Sequence, residues 1–335
     1  MTRVVLACPG RGAYGPTSLG SLPRDHPWIH AAQELRAGLD LPSLAELDAA
    51  TVFDPALHLR PANAAPLTYL VTLLDAARVA EDHDVVAVTG NSLGWQSALG
   101  VAAALSFEDG FRLVQRIALL TEQALPASAR AGQVIYPLTD AAWRPDPALR
   151  SAVEMALSGV NGDAHPSIEL GGYITLAGTE TGIGKLLETL PQVKVGAQVY
   201  PLHSALASPA HTPLAGALAS AVREMLGELA WHEPATTLVD GRGVRWTPWS
   251  TDPAELADYT LGEQMTAPYR FESSIRVALR EYAPDLILLP GPGNGLGAIC
   301  GQIIVAEGYR RIRSRKAFEA AQSGRRPLVV SMRPR

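Results

Sequence analysis

The sequence predicts an α/β fold, with a large domain on a parallel sheet and a smaller βαββαβ, ferredoxin-like subdomain inserted into it. Three observations predict it. Val85-Val86-Ala87-Val88 is a short apolar run rich in β-branched residues, the pattern of a buried strand, and the chain then breaks at Gly90-Asn91-Ser92-Leu93-Gly94 into an alanine-rich helical stretch. Two further apolar strands, residues 4–7 and 286–289, run into the glycine-rich loops Cys8-Pro9-Gly10-Arg11-Gly12 and Pro290-Gly291-Pro292-Gly293-Asn294-Gly295. From about Ala127 to Leu202 the segments read strand, helix, strand, strand, helix, strand. The expected boundaries are 1–126 and 203–323 for the large domain, 127–202 for the insert and 324–335 for an extended tail.

The elements follow in order. The strand at 4–7 ends in a loop whose two glycines suit a backbone that must approach something closely. That loop lacks the Lys-Ser/Thr of a phosphate-binding P-loop. Residues 27–47 are mostly helical with a break at Pro42, and 63–81 form a helix apolar on most sides. After the strand at 85–88 a helix runs to about Leu105, and Phe107-Glu108-Asp109 starts an amphipathic helix through Leu113, Ile117 and Leu120. In the insert, strands at 133–137, 167–170, 173–176 and 193–202 alternate with helices at 146–157 and 179–190, the first with Pro147 in its opening turn. A helix then reaches about Glu228, residues 236–240 form a strand, 259–282 are mostly helical and a helix starts at about Leu296. Residues 327–331 can add an edge strand to the tail.

Glycines two residues either side of Ser92, between strand and helix, form the G-x-S-x-G nucleophile elbow of α/β-hydrolase-like domains. A sharp turn strains the backbone at the serine and needs neighbours without Cβ, so that strand and helix can approach. The hydroxyl is left at a helix N-terminus, where N–H groups and the macrodipole favour developing negative charge. The plainer alternative is an ordinary strand-to-helix turn that contains a serine.

Composition narrows the function. A chain of 335 residues, 47% hydrophobic, can bury one large core and a smaller one. A net charge of −5 without a basic cluster in the body argues against nucleic acid as a partner. Arg310-Arg311-Ile312-Arg313-Ser314-Arg315-Lys316 is the basic exception, either a solvated helix end or a face for an acidic protein. Cys8 and Cys300 lie far apart and form no metal or redox motif, which fits a reduced, cytoplasmic setting and no bound metal. The N-terminus shows no basic region followed by a long apolar core, and no uncharged run approaches the ~20 residues of a membrane span, so neither a signal peptide nor a membrane anchor is expected.

Taken together, these segments resemble the malonyl-CoA:acyl carrier protein transacylases and, more loosely, the acyltransferase domains of polyketide synthases. The resemblance covers nearly the whole chain. It rests on Pro9-Gly10-Arg11-Gly12, on the Gly90–Gly94 elbow, and on Ser97-Ala98-Leu99 followed by Ser106-Phe107-Glu108-Asp109. It rests further on Ala210-His211-Thr212-Pro213-Leu214 after the insert, on Gln264 before Ala267-Pro268-Tyr269-Arg270-Phe271, and on the closing Gly291-Pro292-Gly293.

The resemblance implies a ping-pong acyl transfer. Ser92 is the nucleophile and His211, among eight histidines, the base that a weakly nucleophilic hydroxyl needs. His203, eight positions earlier in the same segment, lacks the following Thr-Pro-Leu. A main-chain carbonyl at Gln264 fixes the imidazole tautomer in place of a triad carboxylate; the Gln264 amide itself is open to a purely structural reading. The oxyanion sits between the main-chain N–H groups of Leu93 and Arg11, donors of a kind worth roughly 3–4 kcal/mol each. A coenzyme A thioester is a substrate rather than a resident cofactor, none of which is implied. The partners are an acyl-CoA and an acyl carrier protein, and the enzyme is expected to be a cytoplasmic monomer in fatty-acid or polyketide-type biosynthesis.

Three departures bear on the acyl group. The resemblance implies an arginine on the helix after the elbow to hold the malonyl carboxylate, and the count lands on Ile117; the adjacent Arg116 is turned by about 100°. The glutamine of the first loop is Arg11, which either supplies the missing cation or points to solvent and contributes only its N–H. The histidine before the serine is Asn91, and Trp95-Gln96 replaces Glu-Tyr; Trp95 either lines the acyl pocket or packs. Malonyl is the first expectation. A neutral acyl group or a hydrolase that clears carrier proteins is the alternative, and a non-catalytic carrier-docking module the third reading. Arg112, Arg116 and the 310–316 cluster are candidate contacts for an acidic carrier.

Overall fold

Residues 4–8 of the first strand are fully buried, as a strand needs to be when it is flanked on both sides in a parallel sheet. The computed structural model describes residues 1–128, 132–204 and 208–333. The stretches 129–131, 205–207 and 334–335, which fall at or beside the two expected subdomain boundaries and in the tail, lie outside the described residues.

In chain order the strands are β1 (Thr2–Cys8), β2 (His83–Gly90), β3 (Gly132–Pro137), β4 (Ala164–Glu169) and β5 (Tyr173–Gly178). There follow β6 (Val193–Val195), β7 (Gln198–Tyr200), β8 (Leu202–Ser204), β9 (Leu238–Val239) and β10 (Arg245–Trp246). The last are β11 (Tyr269–Arg270), β12 (Leu286–Leu289) and β13 (Val329–Ser331). The large sheet has the order β10-β9-β2-β1-β12-β13 and is parallel except at β10, which runs against β9. The second sheet has the order β11-β4-β5-β3-β8. Its β3, β4, β5 and β8 pair antiparallel and, with helices Pro147–Ser158 and Glu180–Thr189, have the strand order of a ferredoxin-like unit. The architecture is therefore α/β, a large domain with a parallel sheet and a smaller ferredoxin-like unit.

Three details differ from the pattern in the sequence. The expected strand at 193–202 is a β6–β7 hairpin, turned at Gly196 with φ +63°, followed by Pro201 and the separate β8. The chain reverses at Gly196, so one continuous strand cannot run through this segment. The helix after the elbow is Leu93–Val101, not a run to Leu105, because Ala103 takes a left-handed φ of +56°. The 259–282 segment is interrupted by the π-helical turn Tyr259–Glu263 and by β11, which joins the small sheet beside β4. The small sheet thus takes its edge strand from outside 127–202.

Each sheet has its own core. Leu6, Val88, Leu99, Leu288 and Ile304 lie in the large one, and Val134, Tyr136, Leu176 and Leu186 in the small one. Burying a Leu or Val side chain contributes roughly 1.5–3 kcal/mol, so these cores supply much of the stability of both sheets. The C-terminal ends of β1, β2 and β12 bring three glycine loops together. A Cβ at Gly291 would lie 2.3 Å from Thr72 Oγ1 and 3.0 Å from Pro9, and one at Gly293 would lie 3.0 Å from the Ala13 carbonyl oxygen. Buried Asp75 accepts a hydrogen bond from the Gly291 N–H at 3.0 Å and pairs with Arg333 at 2.8 Å, which fastens the end of β13 behind these loops. Among the described residues no helix is long and apolar enough to cross a membrane.

Candidate active site

The elbow is built from contacts that only glycine permits. A Cβ at Gly90 would lie 2.1 Å from the Gly94 backbone, and one at Gly94 would lie 2.2 Å from the Cys8 carbonyl oxygen. Between them Ser92 takes φ +58°, a left-handed conformation that costs a β-substituted residue of order 1–3 kcal/mol. The turn sets Ser92 at the N-cap of helix Leu93–Val101.

His211 arrives from the far side of the chain. Its Nε2 lies 2.7 Å from Ser92 Oγ, and its Nδ1 lies 2.6 Å from the Gln264 carbonyl oxygen. That carbonyl can only accept, so Nδ1 carries the proton and Nε2 offers its lone pair to the hydroxyl. The histidine also sits at left-handed φ, +59°, and its main-chain N–H donates to the Met265 carbonyl at 2.8 Å. The Gln264 amide donates back to the Ser92 carbonyl at 3.4 Å. Burial holds the imidazole pKa down to about 4; the Gln264 hydrogen bond opposes this and the nearby Arg11 charge adds to it. The ring is therefore neutral at pH 7.

The site lies in a narrow cleft of about 80 Å3, with walls that include Leu93, Val114, Ile117, Ala118 and Met265. Arg11 reaches it half-buried; burial lowers its pKa to about 10, so it stays a cation at pH 7. Its guanidinium makes no hydrogen bond or ion pair among the described residues, and the main-chain N–H groups of Arg11 and Leu93 are likewise without an acceptor.

The structure separates the remaining candidates. Ile117 lines the cleft, whereas Arg116 lines a different groove with Glu34, Arg112 and Glu228, as the rotation of one helical step requires. Arg116 is therefore not placed to touch a group bound at Ser92. Trp95 does not line the cleft either. It is fully buried, donates from Nε1 to Thr260 Oγ1 at 3.0 Å and sets its ring edge-on to Tyr259 at 5.5 Å. These contacts hold the π-helical turn that leads into Gln264, a local geometry frequent at functional sites. Asn91 is half-buried behind the elbow, where its carbonyl accepts from the Gly94 N–H at 2.9 Å. His203 is exposed on β8. Of the basic candidates for a carrier contact, Arg112 pairs with Asp109, Arg310 with Asp285 and Arg315 with Glu319.

Three contributors had no role assigned from the sequence. Tyr269 donates its hydroxyl to the Gly90 carbonyl and sets its ring 5.3 Å from that of His211. Thr121 lines the cleft with its hydroxyl committed to the Ile117 carbonyl. Gln96 lines it one helical turn past Ser92, a spacing that was available in the sequence.

No family model matches the sequence. The malonyl CoA-acyl carrier protein transacylase of Salmonella typhimurium is 25% identical over 311 residues, 91% of this chain and 94% of that one. The crystal structure of malonyl-CoA:acyl carrier protein transacylase from Xanthomonas oryzae superposes with a TM-score of 0.75 at 19% identity, over 99% of this chain and 94% of that one. A type II polyketide-synthase acyl-carrier protein solved in complex with its malonyl-transacylase gives a TM-score of 0.73 at 18% identity, over 90% and 93% of the two chains. In sequence along nine-tenths of its length, and in fold, the chain is similar to the malonyl CoA-acyl carrier protein transacylases.

Proposed function

We propose that the protein moves a malonyl group from coenzyme A to the phosphopantetheine thiol of an acyl carrier protein, with Ser92 as nucleophile and His211 as base. The observation that carries this is the pair of hydrogen bonds on one buried imidazole, 2.7 Å to Ser92 Oγ and 2.6 Å to the Gln264 carbonyl. As Ser92 Oγ attacks the thioester carbonyl, its proton passes to Nε2, and the Gln264 carbonyl stabilises the imidazolium that forms. The oxyanion is received by the N–H groups of Leu93 and Arg11, the first at a helix N-terminus. The coenzyme A sulfur leaves with the proton from Nε2, and a seryl ester remains. The carrier thiol then gives its proton to Nε2 and attacks the ester, and Nε2 returns that proton to the departing Ser92 oxygen, which restores the free serine. Each exchange trades one ester or thioester for another, so the site gains most by excluding water.

Arg11 is the cation proposed for the malonyl carboxylate, since Ile117 cannot supply one. The apolar wall around Ile117 favours a neutral acyl group as the second reading. The intact dyad weighs against a mere docking module. The reaction is assigned to the cytoplasm, the setting that suits two free cysteines.

Intact-mass spectrometry after incubation with malonyl-CoA tests the proposal. A malonyl adduct is expected on the wild-type protein and none on Ser92→Ala, with acylation lowered about a thousandfold or more. An adduct that persists in Ser92→Ala overturns the nucleophile. An acetyl adduct without a malonyl one overturns the acyl group.

A further inference from the structure

The cleft holds a polar side chain that the dyad does not use. Gln96 is only 7% exposed, and its Oε1 is buried without a hydrogen-bond partner. It stands one turn beyond Ser92 on the same helix, in the wall it shares with Val114, Ile117 and Ala118. Among the described residues its amide makes no hydrogen bond at all. A buried amide oxygen left unpaired is a standing cost, and a protein that keeps one against an apolar wall is set to pair it in another state. Arg11 lines the same cleft close enough for its charge to act on His211, and its guanidinium makes no hydrogen bond or ion pair among the described residues.

We propose that Gln96 and Arg11 together form the site for the terminal carboxylate of the acyl group, a further step that rests on the malonyl reading. A carboxylate has about four lone-pair directions, and a guanidinium fork fills two of them. The Gln96 amide N–H donates to a third. Its Oε1 accepts one of the N–H groups that Arg11 does not spend on the ligand, which ends its unpaired state. The amide is neutral, so it adds hydrogen bonds without adding charge beside His211. It thereby supplies polar contacts that Ile117 cannot give from the same wall.

The test compares malonyl-CoA with acetyl-CoA on the whole protein, by the rate of coenzyme A release and the mass of the Ser92 adduct. In Gln96→Leu the ratio of kcat/KM for malonyl over acetyl is expected to fall about tenfold. In Gln96→Glu it falls further, because the new carboxylate takes Arg11 and repels the ligand. Thermal unfolding of each variant confirms that it is folded, and the Glu variant carries the test if the Leu variant is not. A ratio within threefold of wild type in the folded variants overturns the role of Gln96 and leaves malonyl transfer standing. A wild-type protein that loads acetyl but no malonyl overturns both readings.

Discussion

The two ends of the cleft use their polar atoms in opposite ways. At the dyad end Ser92 Oγ, both ring nitrogens of His211, its main-chain N–H and the Gln264 amide all have partners. At the acyl end the Arg11 guanidinium and the Gln96 amide have none among the described residues. The contrast teaches a division of labour. The reacting geometry is assembled before substrate arrives, which is where preorganisation lowers a barrier. On the proposed reading, recognition of the acyl group is left for the ligand to complete, so its energy appears only when the right group is bound.

The strongest way to break this contrast is at His211. Replacing it with alanine is expected to lower acylation about a thousandfold, read from the burst of coenzyme A release. In the wild-type protein kcat/KM is expected to stay level from pH 8 to below pH 6 and to fall only near pH 4, where the buried imidazole takes a proton. Between pH 6.5 and about 4 the unfolded chain binds this proton and the folded one does not. Stability from neutral His211 is therefore full above 6.5 and is lost as the pH falls through about 4. An acid limb at 6.5 in the kinetics would show a solvated ring and a dyad end less finished than its hydrogen bonds indicate.

Arg11→Gln sharpens the contrast from the other end. The main-chain N–H stays while the cation goes, so malonyl transfer should fall about ten- to a hundredfold relative to acetyl. The acid limb should also move upward, because Arg11 no longer disfavours the imidazolium. Unchanged selectivity, measured with the two thioesters, would leave the acyl end without its cation.

The smallest effect is expected at Trp95→Phe, which removes the bond to Thr260 behind the π-helical turn. About 1 kcal/mol of stability should be lost in denaturant unfolding, with a few-fold drop in kcat and little change in KM. Thr260→Ser keeps an acceptor and should behave as wild type. A large rise in KM would return Trp95 to the cleft wall.

Legibility in the sequence follows the same division. The elbow was readable because its glycines answer to local sterics, and the resemblance in motif order singled out His211, 119 positions away, at a site that the fold closes to 2.7 Å. Helical phase was enough to separate Ile117 from Arg116. Trp95 was ambiguous because local spacing cannot say whether a buried ring faces a cleft or a neighbouring turn; the π-helical turn that decides it lies far along the chain. The edge strand β11 was hidden for the same reason, as two residues inside an apparently helical stretch carry no periodicity. Gln96 stood out only as half of the Trp95-Gln96 departure and received no role of its own, because a lone polar residue on an alanine-rich helix gains meaning only when its amide is found without a partner.

The placement of β1 between β2 and β12 has a consequence for synthesis. A ribosome releases the serine turn early, yet β1 keeps one open edge until residues 286–289 emerge to close it. The histidine and the carbonyl that aims it also come late, at 211 and 264. A half-made chain therefore carries the Ser92 turn before the histidine and the carbonyl that would complete the proposed dyad have been synthesised.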